Sequence, residues 1–422
     1  MNSQSEQQTR TRTGMLSPYR ALDLADEKGL MCGKILGDMG ADVVKVERPS
    51  GDAARNIGPF FHDEPRPENS LFWLGLNTSK RGITLDIEKA DGLEILRRLV
   101  KTADFVIESF QPGYMDRLGI GYSDLQKTNP GVIFVSITPF GQSGPYRDYK
   151  TSDIVAWAVG GEMAPWGEPD RPPFQISHHS QAYFHAGADA AMGTLAALLY
   201  RGNTGEGQHV EVSIQESVAQ CSDNVIPAWD LWQELRKRGE DARGGNHRAT
   251  RIWPCKDGYV SWAHGGNSRL TPSMPLVKWM KEEGFADDFM RTFDWDRPNF
   301  NDTTQEEMDR IEAPTARFFM AHTKAELLEG AIKRDVMLYP VSTTADLPRN
   351  PQLKGRNFWT EVEHPELKTS IVYAGVFGRA SEAPLRISRR APRVGEHNTD
   401  IYERELGMTR KELLMLKQAG VI

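Results

Sequence analysis

Basic side chains recur beside short β-branched runs in this chain. Arg48 follows the run Asp42 to Val46, Lys80 and Arg81 precede the run that starts at Ile83, and Arg117 comes after Phe105 to Ile107. Arginine forks and lysine point charges suit phosphate oxygens, so their shared placement predicts an anionic ligand. Other chemistries find less support. His178 and His179 are adjacent, and neighbours in an extended segment point to opposite sides; that is a poor chelate, and no metal site is expected. His185 reads as a core histidine in an apolar stretch. No Gly-x-Ser-x-Gly elbow is present, and Cys32, Cys221 and Cys255 stand far apart without Cys-x-x-Cys spacing, so hydrolase, thiol and zinc chemistry are not indicated.

The elements that would position these residues alternate from the start. Ala21 to Leu24 reads as a strand, Gly29 to Met39 as a helix and Asp42 to Val46 as a strand, which makes a βαβ unit. The pattern repeats with Ile83 to Asp86, a helix carrying Ala90, Leu93, Leu96, Leu99 and Val100 on one face, and Phe105 to Ile107. Val132 to Ile137 follows a short helix around Asp124. Such alternation predicts an α/β fold with a mostly parallel sheet covered on both faces, and ligands at the carboxyl ends of its strands. Those ends carry Glu47-Arg48, Glu108-Ser109-Phe110 and Thr138-Pro139-Phe140-Gly141. The first strand leads into Asp26-Glu27-Lys28-Gly29-Leu30-Met31 rather than Gly-x-Gly-x-x-Gly, so a nicotinamide dinucleotide is not indicated.

From Ala182 to Arg201 the chain is almost entirely small and apolar, with His185 and Asp189 as the ionisable side chains before Arg201. A helix apolar on nearly all faces is expected in a core; its Gly and Ala content, Asp189 and polar flanks argue against a membrane span. A Gly-Asn-Thr-Gly-Glu-Gly turn and a strand, His209 to Ser213, follow. The Arg- and Gly-rich link from Arg236 to Arg248 marks a boundary. Beyond it, Ile252 to Trp262 reads as a hairpin turning at Lys256-Asp257-Gly258, then charged helices to about Arg334, then strands from Val341 and a last helix, Lys411 to Lys417. The expected division is therefore 1–225 for the first part of a large domain, 245–335 for a small α+β domain, and 341–422 returning to the large one.

With 51 Lys and Arg against 58 Asp and Glu, the net charge of −7 leaves no basic stripe for nucleic acid. The polar opening MNSQSEQQTRTRTG lacks the apolar core of a signal peptide and reads as a flexible arm. Sparse cysteine adds the expectation of a reducing cytoplasm.

As a set, these motifs resemble the class III CoA-transferases, also called the CaiB/BaiF family. The resemblance runs through ILGDMGADVVKVERP, LNTSKRGITLDI, ADFVIESFQPGYMDRLGIGYSDL, NPGVIFVSITPFGQSGP, TSDIVAWAVGG, AALLYRGNTGEGQHVEVSI, DGYV, NPQLKGRNFW and GEHNTDIYERELGM. It implies a Rossmann-like large domain built from both ends of the chain, a smaller inserted domain, and two subunits interlocked like chain links. It also implies coenzyme A, bound as a substrate thioester and not as a covalent cofactor, across the strand ends. Arg48, Arg81, Ser109, Phe110 and Arg117 fall on positions lining that site, with Lys80 and Thr138 beside them. In the family an aspartate carboxylate attacks the acyl-CoA carbonyl and expels the thiolate, giving a mixed anhydride. The thiolate then displaces the acid to form an aspartyl-CoA thioester, from which CoA passes to the acceptor acid.

That aspartate is expected four residues before Gly187 and 18 before Arg201, and both counts end on Tyr183. Asp189 lies six residues further on, roughly 9 Å of rise and about 240° of rotation away on a helix. Glu162, Glu168 and Asp170 precede the position in a Gly- and Pro-rich loop. A phenol stays protonated at neutral pH and is a poor acyl carrier. The racemase branch of the family needs a His and an Asp to move an α-proton; here Ser152 precedes Asp153-Ile154, and Tyr183 replaces the second partner.

The resemblance therefore implies a subunit without its own nucleophile, held by a related subunit that carries the aspartate. That arrangement resembles benzylsuccinate CoA-transferase of anaerobic toluene degradation, in which two different subunits pair and CoA moves from succinyl-CoA to (R)-benzylsuccinate. Two alternatives stand beside it. One is a homodimeric transferase or isomerase that uses Glu162, Asp170 or Asp189; the other is a catalytically silent CoA-binding or assembly protein.

Overall fold

The structure, a computed structural model, describes residues 14–167, 170–175, 177, 180–222, 225–233, 235, 247–265 and 272–422. Glu168, His178 and His179 lie outside the described residues. In chain order the first part comprises β1 (Arg20–Asp23), α1 (Leu30–Asp38), β2 (Asp42–Glu47), α2 (Leu71–Leu76), β3 (Lys80–Thr84), α3 (Ala90–Val100), β4 (Phe105–Glu108), α4 (Tyr114–Arg117), α5 (Tyr122–Thr128), β5 (Ile133–Thr138), α6 (Asp153–Val159), α7 (Gln181–Thr204) and β6 (His209–Ser213).

The six strands form one sheet in the order β3-β2-β1-β4-β5-β6, and every pairing is parallel. This is the order of doubly wound nucleotide-binding sheets, in which the chain reverses direction between β1 and β4 and leaves a crevice at the strand ends. β4 and β5 are buried along their whole length, as a sheet covered on both faces requires. One core packs α1 and α7 on one face, through Cys32, Leu36, Ala182, Ala186, Ala190 and their neighbours. The other face is covered by α3, whose Ile95, Leu96, Leu99 and Val100 point inward.

The small residues of α7 have a steric reason. A Cβ on Gly187 would stand 2.7 Å from Met31 Cβ and 3.2 Å from Cys32 N, so glycine lets α7 approach α1. Expected from Ala182 to Arg201, the helix runs to Thr204, whose hydroxyl donates to Tyr200 O at 3.1 Å. The expectation of burial on all faces is corrected. Met192 and Leu199 are 64% and 72% exposed, and His185 is exposed and edge-on to Trp157. The sheet covers one side of α7 only, so an apolar composition fixes a buried stripe and not a full envelope.

Two units divide the chain: 1–163 with 175–223 and 355–422, and 164–174 with 224–354. Residues 341–354, placed by sequence with the returning segment, cluster with the second unit. There the hairpin appears as Ile252–Cys255 paired antiparallel with Gly258–Ser261, and Tyr339–Pro340 adds to the latter, which draws residues near 341 to this unit. Its core gathers Trp253, Trp262, Trp279, Phe318 and Phe319. In the first unit, Trp359–His364 and Thr369–Ala374 form a hairpin, and the last helix spans Arg410–Gln418 behind a Thr409/Glu412 capping box. No helix among the described residues is long and apolar enough to cross a membrane.

Candidate active site at the carboxyl ends of the strands

A cleft of about 230 Å³ opens where the strand order reverses, lined by Leu24 and Asp26 after β1, Arg48 after β2, Glu88 after β3, and Phe110 and Tyr114 after β4. Its floor is held by ion pairs inside the sheet. Arg55 is bidentate to Glu47 at 2.6 and 2.8 Å and stacks 3.8 Å over the Trp73 ring. Lys45, wholly buried, pairs with Asp52 at 3.1 Å.

The basic residues singled out by sequence separate into different environments. Lys80 is wholly buried and spends its three hydrogens on Asp23 at 2.8 Å, Leu30 O at 2.9 Å and Asn77 Oδ1 at 2.9 Å. It ties β3 to β1, and no donor is left for a ligand. Arg81 lies at the opposite, amino edge of the sheet, bound to Asp42 Oδ1 at 2.9 Å and to Glu405 at 2.5 Å. The spacing placed both before a strand; in this all-parallel sheet the first residues of β3 lie at its amino end, opposite the carboxyl ends where the cleft opens. Arg48 does line the cleft, 65% exposed, but Glu88 holds it at 2.9 Å and also accepts from the Tyr114 hydroxyl at 2.8 Å. Burial, then Glu88, pushes the Tyr114 phenol up to about 12.

Ser109 is buried and engaged: its Oγ donates to Asp26 Oδ1 at 2.7 Å and accepts from Asp26 N at 2.8 Å. It fixes the β1–α1 loop against the end of β4. Phe110 faces the cleft beside Tyr114, ring centroids 4.7 Å apart. Thr138, at the end of β5, is wholly buried with a hydroxyl that has no hydrogen-bond partner among the described residues.

At the amino end of α7, Tyr183 is 6% exposed. Ser180 caps no backbone amide; Asp153 of α6 does so instead, its Oδ1 accepting the Tyr183 N–H at 3.2 Å while Oδ2 accepts from Gln175 Nε2 at 2.6 Å. Burial raises the Asp153 carboxyl, against the amides of Tyr183, Ala182 and Gln181 that favour its charge. The Tyr183 phenol is driven well above its ordinary value by burial, then by Glu27, Asp153 and Asp26. It cannot ionise near neutrality.

The carboxylates considered as substitutes lie elsewhere. Glu162 is buried and accepts from Ser222 Oγ. Asp189 is only half-buried, and with Glu162 its charge is felt at Cys221. Asp170 is exposed in the second unit. Glu27, which sequence reasoning passed over, acts on the Tyr183 hydroxyl more strongly than Asp153 does, and burial, then Asp26, raises its own carboxyl. No signal in the sequence pointed to Glu27: it lies in the turn before α1, and its proximity to Tyr183 follows from the packing of α7 against α1 at Gly187 and Met31.

A second polar cavity of about 220 Å³ lies under α4, lined by Glu108, Asp116, Tyr122, Ser136, Gln142 and His209. Ser136 Oγ is 2.9 Å from His209 Nε2 and also bonds Glu108, whose Oε2 accepts the Phe110 N–H at 2.7 Å. Burial pushes the Glu108 carboxyl up to about 7 and His209 down. Their strands alone did not disclose this chain, because it runs across three of them. Among the described residues no cluster of His, Cys, Asp or Glu is placed to hold a metal ion.

Sheet order and the crevice at the strand ends define a doubly wound α/β protein. The CoA-transferase family III model matches residues 21–398, and the chain belongs to that family. It is 34% identical over 415 residues to the succinyl-CoA:(R)-benzylsuccinate CoA-transferase subunit BbsE of Thauera aromatica, covering 96% of this chain and 98% of that one. It is 30% identical to the formyl-CoA:oxalate CoA-transferase of Streptomyces avermitilis, over 97% and 100% of the two chains. The crystal structure of a CaiB/BaiF family protein from Brucella suis superposes with a TM-score of 0.79 at 27% identity, covering 93% of this chain and 99% of that one.

Proposed function

We propose that this chain is the subunit without a nucleophile in a hetero-oligomeric class III CoA-transferase. A related partner carries the aspartate and is interlocked with it, and the complex works in the cytoplasm. The observation that carries the reading is the amino end of α7, where Tyr183 stands in place of a carboxylate and Asp153 already takes the amides. A helix N-terminus is a site for an anion, and here an internal carboxylate, Asp153, accepts from its amides. The exposed apolar face of α7, with Met192, Leu199 and Tyr200, suits a partner's surface.

Under this reading CoA lies along the cleft past Phe110 and Arg48 toward Asp26. The subunit name of the Thauera relative favours succinyl-CoA as donor and (R)-benzylsuccinate as acceptor. The domain division proposed with it is a large domain from both ends of the chain and a small inserted one.

Purification of the chain alone and together with its partner tests the proposal. Transfer of CoA is expected only from the complex, with a covalent aspartyl-CoA adduct on the partner by mass spectrometry. Transferase activity of the lone chain that survives Tyr183→Ala and is lost on changing a carboxylate would overturn it. CoA binding with no partner and no transfer in any combination would favour a silent binding protein. Tyr183→Asp alone is expected to give no adduct, because Glu27, Asp153 and Asp26 surround the new carboxylate with like charge; an adduct on that variant would refute this.

A further inference from the structure

We propose that the cavity at the amino end of the sheet binds a phosphate group, held by Arg386 and Arg389 of the returning segment together with His397. The cavity opens on the edge of the sheet away from the cleft, and the proposal does not depend on the CoA reading above.

The first observation is the cavity and the state of its charges. It encloses about 350 Å³ where α1 and β2 meet the returning segment, and Arg81, Arg386 and Arg389 line it with Asp38, Asp42 and Ser79. Its carboxylates are already engaged. Asp42 Oδ1 accepts from Arg81 at 2.9 Å, and Asp38 accepts from Ser79 Oγ at 2.6 Å and from Lys34 Nζ at 2.7 Å. Arg386 is exposed; its backbone amide donates to Asp38 O at 3.0 Å, while its guanidinium has no partner among the described residues.

The second is a mismatch of donors. The Gly82 N–H donates to His397 Nδ1 at 3.1 Å, and the His397 N–H donates back to Gly82 O at 2.9 Å. A backbone N–H can only donate, so Nδ1 is the bare nitrogen and the neutral ring carries its proton on Nε2. Burial keeps the imidazole neutral, with Arg389 and Arg81 adding to it against Glu396. Arg389 Nη1 stands 3.5 Å from that Nε2. Both groups are donors, so this approach is not a hydrogen bond, and the ring cannot turn without giving up Gly82. An anionic oxygen about 2.9 Å from each would accept from both.

The third is that nothing else at the cavity takes up or repels an anion's charge. α1 ends here, and the carboxyl end of a helix carries partial negative charge. Its last carbonyls are nevertheless satisfied: Gly37 O accepts from Gly40 N, Asp38 O from Arg386 N and Met39 O from Leu16 N. Arg390, next in the chain, is bidentate to Glu396 at 2.7 and 2.8 Å; Arg389 has no carboxylate of that kind among the described residues. Phosphate offers more charge and more acceptor oxygens than a carboxylate, which suits two guanidinium groups and an imidazole N–H.

Titration of the full chain with inorganic phosphate at constant ionic strength, followed by phosphorus NMR, tests this. Glycerol phosphate serves as a second probe and acetate as a competitor. Wild type is compared with Arg389→Ala, with the Arg386→Ala/Arg389→Ala double variant and with Arg48→Ala in the cleft, each checked for unchanged thermal unfolding. Loss of a charge-assisted contact predicts phosphate binding weaker by about tenfold for Arg389→Ala and more for the double variant, with Arg48→Ala changing it by less than about threefold. Binding of inorganic phosphate alone assigns the site to the free ion, and tighter binding of glycerol phosphate assigns it to a phosphate ester. Acetate that competes on equal terms would overturn the phosphate assignment. Binding that the double variant leaves unchanged, or no saturable binding of either probe by wild type, would overturn the site and leave the CoA reading untouched.

Discussion

The floor of the cleft and its rim treat charge in opposite ways. Below the strand ends Asp23, Glu47 and Asp52 each face a buried cation, with Lys80, Arg55 and Lys45 as partners. At the rim, Arg117 and Arg147 each approach Gly113 and have no inter-segment carboxylate among the described residues. Desolvated charges are tolerated only when paired and hydrogen-bonded, so the floor is architecture and has no capacity left for a ligand. The rim keeps its charge in water, where leaving it unpaired costs little. A basic residue near a strand end is thus a binding candidate only if the fold has not already given it a partner.

The contrast is sharpest at Arg55. Arg55→Met leaves Glu47 buried without its bidentate partner, and breaking such a pair is expected to cost about 3–5 kcal/mol in denaturant unfolding. A loss below about 1 kcal/mol would mean that the floor is not held by these pairs.

Glu108, between floor and rim, should show its burial through pH. Its folded carboxyl is raised from 4.5 to about 7, so it keeps its proton where the unfolded chain has lost it. The stability it contributes is whole below the ordinary carboxyl range and lost as pH rises through about 7. Glu108→Gln has no such proton to lose. Its stability relative to wild type should therefore grow between pH 4 and pH 8, by on the order of 3 kcal/mol. Parallel pH profiles for the two proteins would show that the cavity solvates the carboxylate.

The smallest effect belongs to the exposed pair. Arg48→Ala breaks a contact to Glu88 in which both side chains are more than half exposed, and stability is expected to stay within about 0.5 kcal/mol of wild type. A larger loss would make Arg48 part of the floor after all.

Much of the fold was legible because parallel sheets write themselves as repeated apolar runs. All six strands of the sheet were anticipated in order, and the hairpin at Ile252 to Ser261 and the last helix fall close to where the turn signal and the amphipathic pattern put them. Placement at the site was legible where the count along one helix sufficed, as at Tyr183, buried at the amino end of α7. It was not where partners come from afar: Lys80 meets Asp23 across 57 residues, and Glu108, Ser136 and His209 come from three strands. Arg389 was passed over in the returning segment, and only the fold brings it to His397 at the amino edge of the sheet.

By itself the sequence determined the family, the parallel sheet and the absence of a carboxylate at residue 183, because period, motif order and residue count are local properties of the chain. Tertiary structure alone decided which charges are spent and which are free. That choice depends on desolvation and on distances between segments remote in the chain, which close only when the strands are laid side by side.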